Sequence, residues 1–351
     1  MIDWWAGRSR VMVGDSLFSR VRNYLDADHH RLSPRGMVTF ILTGLILAGA
    51  ALLSIVWLVV GWGPVLHEVR HIAWIWLAVA GGATIASHVG YLLAYREVAR
   101  HDDGPDIHPA RAAALVVTGF GLVVPRGGFA LDNAALCEHG VSSSEARQRV
   151  MSLGILEYAV LAPAAFGAAL VLLLQHINAQ AGLLPSWIIG VPAGTVVTLL
   201  LLPNRSKLRS RGWLRHGLCR MLDAIQATLT MLKSMPNGPL AALGMAVYWA
   251  ADIAVLAACL ALFGGHRASI AAIIVGYSTG YALTRRSLPL SGAGAVEALL
   301  PFALSWVSVP LAEAVLAVLA YRAFNLWFAV GPAAAGLRYL RRRPATTSAT
   351  A

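Results

Sequence analysis

Residues 268–304 read ASIAAIIVGYSTGYALTRRSLPLSGAGAVEALLPFAL. The apolar run 268–283 stops at Arg285-Arg286-Ser287-Leu288-Pro289 and resumes over 293–304. A helix needs roughly 20 apolar residues to cross about 30 Å of hydrocarbon. Neither run reaches that length, and the break between them carries two arginines and a proline. The same design occurs earlier: 112–125 is apolar, Pro125-Arg126-Gly127-Gly128 interrupts it, and 129–137 resumes it. Each stretch reads as two half-helices meeting at a polar tip. Such re-entrant backbone is tolerated at membrane depth only where protein or a wet cavity surrounds it.

Outward from these breaks the chain is a series of longer apolar runs. Residues 37–60, 72–95 and 185–203 are uncharged or nearly so. Residues 150–174 hold Glu157, 239–263 hold Asp252, and 310–337 hold Glu313 and Arg322. That makes six full spans. Charged residues are 13% and apolar residues 58% of the 351, against about 25% and 45–50% in an average soluble domain, and mean hydropathy is +0.65. These values exclude a soluble globular enzyme, a disordered chain and a coiled coil. The net charge of +11 sits between apolar runs, so it reads as positive-inside loops and not as a nucleic-acid surface. Cys137, Cys219 and Cys259 are scattered, with no C-x-x-C spacing, so no disulfide framework or thiolate metal site is expected.

Lys and Arg set the orientation. Residues 1–36 carry six, 204–236 carry seven, and the tail from Arg338 carries four. Arg96, Arg100 and Arg111 follow the second span, and Arg147 and Arg149 precede the third. Loops 61–71, 176–184, 264–267 and 305–309 hold only Arg70 and Arg267. With both hairpins re-entrant, every basic segment falls on one side, expected to be cytoplasmic, with both termini there. Residues 1–36 have no apolar h-region, so no cleaved signal peptide is expected. The stripe Leu214, Leu218, Leu222, Ile225, Leu229, Leu232 beside a basic face predicts a helix lying on anionic lipid, and Leu17, Val21, Tyr24 and Leu25 predict a weaker one.

The two halves repeat. Gly140-Val141-Ser142-Ser143-Ser144-Glu145-Ala146 aligns with Ser308-Val309-Pro310-Leu311-Ala312-Glu313-Ala314 at an offset of 168, and Ala162–Gly167 with Gly331–Gly336 at 169. Each half, 72–175 and 239–337, runs span, hairpin, span. An odd number of crossings between them inverts one against the other. Inverted repeats with helices broken at matching positions are a transporter signature, and the breaks point to the substrate site. The expected fold is an all-α polytopic membrane protein: six full transmembrane helices and two re-entrant hairpins in an inverted repeat over 37–338. A cytoplasmic segment 1–36 with an amphipathic helix and a tail 339–351 flank it.

Pro289-x-x-Gly292-x-Gly294-x-x-Glu297 followed by Tyr321-Arg322 resembles the transmembrane region of the lysylphosphatidylglycerol synthase/flippase family. Pro125-Arg126-Gly127-Gly128 with Gly140-Val141-Ser142 is similar to that family's first hairpin. The chain departs from the pattern at Ser291 and Ala293, and at Asp132, where a Gly-Glu pair is common in the family. After Arg343 only Pro-Ala-Thr-Thr-Ser-Ala-Thr-Ala follows, so the family's aminoacyl-transferring domain is not expected here. The resemblance therefore implies lipid flipping and not synthesis: the protein is expected to be a transporter and not an enzyme.

Within that frame Arg126, Arg285 and Arg286 at the tips are candidate ligands for a lipid phosphate, because a guanidinium holds phosphate through paired hydrogen bonds. Asp132 and Glu297, on the returning half-helices, are either their counter-ions or contacts for the head group. Arg322 joins the substrate-binding set. Glu157 and Asp252, charged inside spans where charge is expensive, are coupling candidates. Repeat offsets place Glu157 and Arg322 about one turn apart, which suggests an ion pair or a proton-coupling site. No cofactor is expected, and no Walker motif supports ATP-driven transport.

Three other readings stand beside the phospholipid flippase in the inner membrane. One is a flippase for a polyprenyl-phosphate-linked sugar. One is a non-transporting partner of a lipid synthase. The last is a zinc metalloprotease using His67-Glu68-Val69-Arg70-His71, which matches H-E-x-x-H. Catalytic zinc takes three protein ligands, and the acidic cluster Asp102, Asp103, Asp106 falls on the opposite membrane face.

Overall fold

In the computed structural model, residues 34–69, 73–121, 127–176, 179–180, 182–204, 213–234, 237–263, 268–281 and 292–342 are described. Their regular structure is entirely helical. In chain order the helices are α1 (Pro34–Ile55), α2 (Trp62–Val69), α3 (Ile75–Arg100), α4 (Pro109–Phe120), α5 (Gly128–Glu138), α6 (Ser143–Leu174), α7 (Leu183–Leu201), α8 (Trp213–Lys233), α9 (Asn237–Leu262), α10 (Ile270–Tyr281), α11 (Ala295–Ser305), α12 (Leu311–Arg322) and α13 (Val330–Arg342).

Six stretches are long and apolar enough to cross a bilayer: Leu42–Val60, Ile75–Arg100, Ser143–Leu174, Leu183–Leu201, Gly238–Leu262 and Leu311–Arg342. They coincide with the six expected spans. The protein is a multi-pass membrane protein. Its outer surface is apolar: Trp57, Leu58, Leu174, Ile189 and Leu200 are largely exposed, as bilayer-facing side chains must be.

The four short helices α4, α5, α10 and α11 are 12, 11, 12 and 11 residues long. At 1.5 Å per residue they reach only about 16–18 Å. They occupy the two stretches read as broken runs, one pair inside each half. The second member of each pair starts on a glycine with positive φ, Gly127 at +78° and Gly294 at +88°. That backbone is strained for any residue with a Cβ, so the sequence places glycine where each chain turns into its half-helix.

The halves interlock. Helix α4 packs on α13, from the other half, and α10 packs on α6, also from the other half. Thr118 Oγ1 donates to the Ala333 carbonyl at 3.4 Å across the first of these contacts. The opening long helices of the two halves, α3 and α9, pack along their length. They approach through Gly90 and Gly244: a Cβ on Gly90 would lie 2.5 Å from the Tyr248 nitrogen, and one on Gly244 2.6 Å from the Ala94 nitrogen. Small residues give membrane helices this close backbone contact.

Two features depart from the hydropathy reading. The last span, like the first with its π turn Val56–Val60, is not one continuous α-helix. Directly after Arg322 a π turn, Ala323–Trp327, interrupts it, with the Phe328 N–H bonded to the Ala323 carbonyl at 2.8 Å. Helix α8 is docked as well as amphipathic: it packs on α6 and α9 and buries Cys219, Leu222, Ala224, Thr228 and Met231. Leu229 of the expected lipid stripe stays 37% exposed, so the buried face is rotated from that stripe toward α6. The second amphipathic stretch, Leu17 to Leu25, lies outside the described residues.

Candidate functional site

A fully buried polar cluster forms where α9, α10, α11 and α12 meet. Arg322, at the end of α12, donates from Nε to Glu297 Oε1 at 2.5 Å, and the two side chains are 1% and 0% exposed. Glu297 is the third residue of α11, and its other oxygen accepts the Gly294 N–H at 2.7 Å. One carboxylate therefore caps the half-helix and neutralises a buried guanidinium. It ties the start of α11 to the last residue before the π turn. π turns recur at functional sites.

Asp252 lies within the same buried set, on α9. Its Oδ2 accepts from the Tyr321 hydroxyl at 2.6 Å and from the Tyr277 hydroxyl. Asp252, Tyr277 and Tyr321 are all fully buried. Hydrogen bonds from two phenols stabilise a buried carboxylate that has been stripped of water. The sequence singled out Asp252 without naming a partner. Helical spacing was the available signal: Tyr277 and Tyr281 lie four apart, on one face of α10.

These tyrosines belong to an aromatic track. Phe120 contacts Tyr91 (4.9 Å between ring centres), Tyr91 contacts Tyr248 (5.2 Å), and Tyr248 contacts Trp249 (4.7 Å). Trp249 contacts Tyr277 (5.9 Å), and Tyr277 contacts Tyr281 (5.0 Å). The track joins the last residue of α4 to the last residue of α10, the two residues from which the chain enters its expected tips. His88 stacks on Phe120 edge-on at 5.1 Å.

The remaining candidates divide. Asp132 is fully buried on α5, and Glu157 is buried on α6. The backbone carbonyl of Glu157 accepts from Trp249 Nε1 at 2.8 Å, which places this turn of α6 beside the aromatic track. The sequence offset suggested Glu157 as the partner of Arg322; the ion pair seen for Arg322 is with Glu297, because α11 brings its first turn against the end of α12. Arg126, Arg285 and Arg286 lie outside the described residues. His67 is exposed on α2; the Glu68 side chain and His71 are likewise outside the described set. Among the described residues no group of three His, Cys, Asp or Glu side chains is placed to hold a metal ion.

On the basic side Arg96, Arg100, Arg111 and Arg149 are pinned by acids. Arg111 pairs with Glu138 at 2.7 Å, with side chains 8% and 6% exposed, and clasps the open end of the α4–α5 pair. Arg149 pairs with Glu145 at 2.6 Å and also donates to the Ala99 carbonyl. Arg96 and Arg100 both reach Asp106, at 3.2 and 2.6 Å. The Arg100 hydrogen bond holds the Asp106 carboxyl below the usual carboxylate range, with Arg96 adding to it.

The family model for the lysylphosphatidylglycerol synthase TM region matches residues 41–333. No curated protein and no solved structure matches the chain.

Proposed function

This chain belongs to the lysylphosphatidylglycerol synthase TM region family, and from that membership we propose that it moves a phosphate-bearing, anionic lipid between the leaflets of the cell's inner membrane. The observation that carries the reading is the Arg322–Glu297 pair, sealed among four helices at the start of a half-helix. An ionisable pair inside a membrane protein is expensive, and such groups mark substrate or ion pathways. In this reading the lipid phosphate exchanges with Glu297 for the Arg322 guanidinium. The tip arginines Arg126, Arg285 and Arg286 collect the head group, and Asp132 balances them. Asp252, held by Tyr277 and Tyr321, and Glu157 serve as the coupling carboxylates. The acyl chains stay in the bilayer while the head group passes between the two halves. Both termini face the cytoplasm, and the chain itself carries out transport and no lipid synthesis.

The test is reconstitution of the purified protein into vesicles containing head-group-labelled phosphatidylglycerol, with an impermeant quencher outside. Wild-type protein should equilibrate the label across the leaflets. Glu297→Gln and Arg322→Lys should stop this while eluting as folded protein. Movement no faster than in protein-free vesicles would sink the reading and favour a non-transporting partner of a lipid synthase. Movement of a polyprenyl phosphate but not of phosphatidylglycerol would redirect it to a lipid-linked sugar carrier.

A further inference from the structure

A second feature lies on the far side of α6. Helices α5, α6, α7 and α8 enclose a lateral groove of about 1460 Å³, larger than the roughly 300–1,000 Å³ of a small-ligand pocket. Along α6 it runs from Arg147 to Pro163, about 24 Å at 1.5 Å per residue. One leaflet contributes about 15 Å of hydrocarbon, so an entire acyl chain fits along it. We propose that this groove is a binding site for an anionic phospholipid, with its phosphate at Arg147 and its acyl chains between α6 and α7. The inference rests on the lipid-handling reading above and names where the lipid sits beside the protein.

Three observations support this occupant. The first is the shape of the walls: Gly190 and Gly194 of α7 line the groove, and a Cβ on either would meet nothing within 4 Å. The hollow is built by omitting side chains. The second is the chemistry of the walls. The α7 hydroxyls facing it are satisfied within their own helix or its cap: Ser186 bonds the Gly182 carbonyl at 2.6 Å, Thr195 the Val191 carbonyl at 2.9 Å, and Thr198 the Gly194 carbonyl at 2.8 Å. Beyond the polar side chains of Asn133, Tyr158 and Arg147, the lining is largely apolar and suits a hydrocarbon chain. The third is charge. Arg111, Arg149, Arg96 and Arg100 each have an acidic partner. Arg147 is exposed at the groove's basic end, and among the described residues it forms no ion pair. A cation left open at the mouth of an apolar channel matches a phosphate head with two chains below it.

The probes are phosphatidylglycerol and phosphatidylcholine, added to delipidated full-length protein in mild detergent and read by native mass spectrometry. Wild type should retain phosphatidylglycerol in preference to phosphatidylcholine. Arg147→Glu should weaken phosphatidylglycerol about tenfold and erase the preference. Gly190→Trp with Gly194→Trp should fill the groove and lose both lipids. Ile189→Trp, on the exposed side of α7, should behave as wild type. Arg147 is on the surface, so its variant tests the site even if the tryptophan pair fails to fold. Unchanged retention in Arg147→Glu, or in a folded tryptophan pair, overturns the proposal. A wild-type dimer that the tryptophan pair breaks, with lipid still bound, would assign the groove to a second copy and also overturn it. Wild-type protein that binds the lipid at Arg147 but moves none would remove the flippase reading and leave the groove. Movement that persists without groove binding would do the reverse.

Discussion

The two pairs of short helices occupy the same place in each half yet are held by different forces. In α4–α5 the charge sits at the open base, where Arg111 and Glu138 clasp the two ends. In α10–α11 it sits at the turn, where Glu297 caps α11 and reaches across to Arg322. The bodies differ as well. Helix α10 meets α11 through Gly276 and Gly280, where a Cβ would lie 2.9 Å from the Leu304 side chain and 2.6 Å from the Leu300 Cα. The first pair is therefore closed at its base by electrostatics, and the second is zipped along its length with its ions placed deeper. A capped turn fixes the start of α11, so motion around the second pair has to break or exchange the buried ion pair.

The largest effect should come from Glu297→Ala, which strands a buried guanidinium and should destabilise the protein by about 3–5 kcal/mol, read as a fall in detergent-solution melting temperature. Glu297→Leu combined with Arg322→Met should recover most of that loss while leaving transport dead. A double variant as unstable as the single one would mean that the cap at Gly294, and not the charge, dominates. Arg111→Ala should cost somewhat less, about 3 kcal/mol, because its pair is slightly more exposed than Arg322–Glu297 and Glu138 is the last residue of α5. An equal or larger loss would make the base clasp the stronger of the two. Gly280→Ala should cost about 2 kcal/mol through overpacking against Leu300, with no matching loss at Gly140, which has nothing within 4 Å and would show only its positive-φ strain.

The smallest effect should come from Asp106→Asn. Its side chain is 64% exposed, and exposed ion pairs contribute less than about 1 kcal/mol. The sign follows from the direction of its shift. A carboxyl held below its ordinary range in the folded state contributes stability above the unfolded pKa, and loses it as pH falls through the folded one. Melting temperature measured from neutral to acidic pH should therefore drop slightly more in wild type than in Asp106→Asn. A steeper drop in the variant would show that Arg96 and Arg100 do not depress this carboxyl.

Hydropathy located the six spans and both interrupted runs, because the partition of a segment into lipid depends on its own composition. Gly127 and Gly294 were visible as glycines at the interrupted runs, and the backbone they adopt, φ +78° with ψ 169° and φ +88° with ψ −47°, favours glycine. Asp132, Glu157, Asp252, Glu297 and Arg322 stood out as ionisable residues in apolar surroundings, and all five are buried. Their partners were not legible. Arg322 and Glu297 are 25 residues apart, and Tyr321 and Asp252 are 69 apart. Such pairings depend on how far each helix is rotated and where it crosses its neighbours, which no local window contains. The offset of the repeat pointed Arg322 toward Glu157, and packing adds the ion pair with Glu297. The π turn after Arg322, the docking of α8 and the groove between α6 and α7 arise the same way. Composition alone determined which segments leave water; the packing of helices against one another decided which charges meet and where a hollow remains.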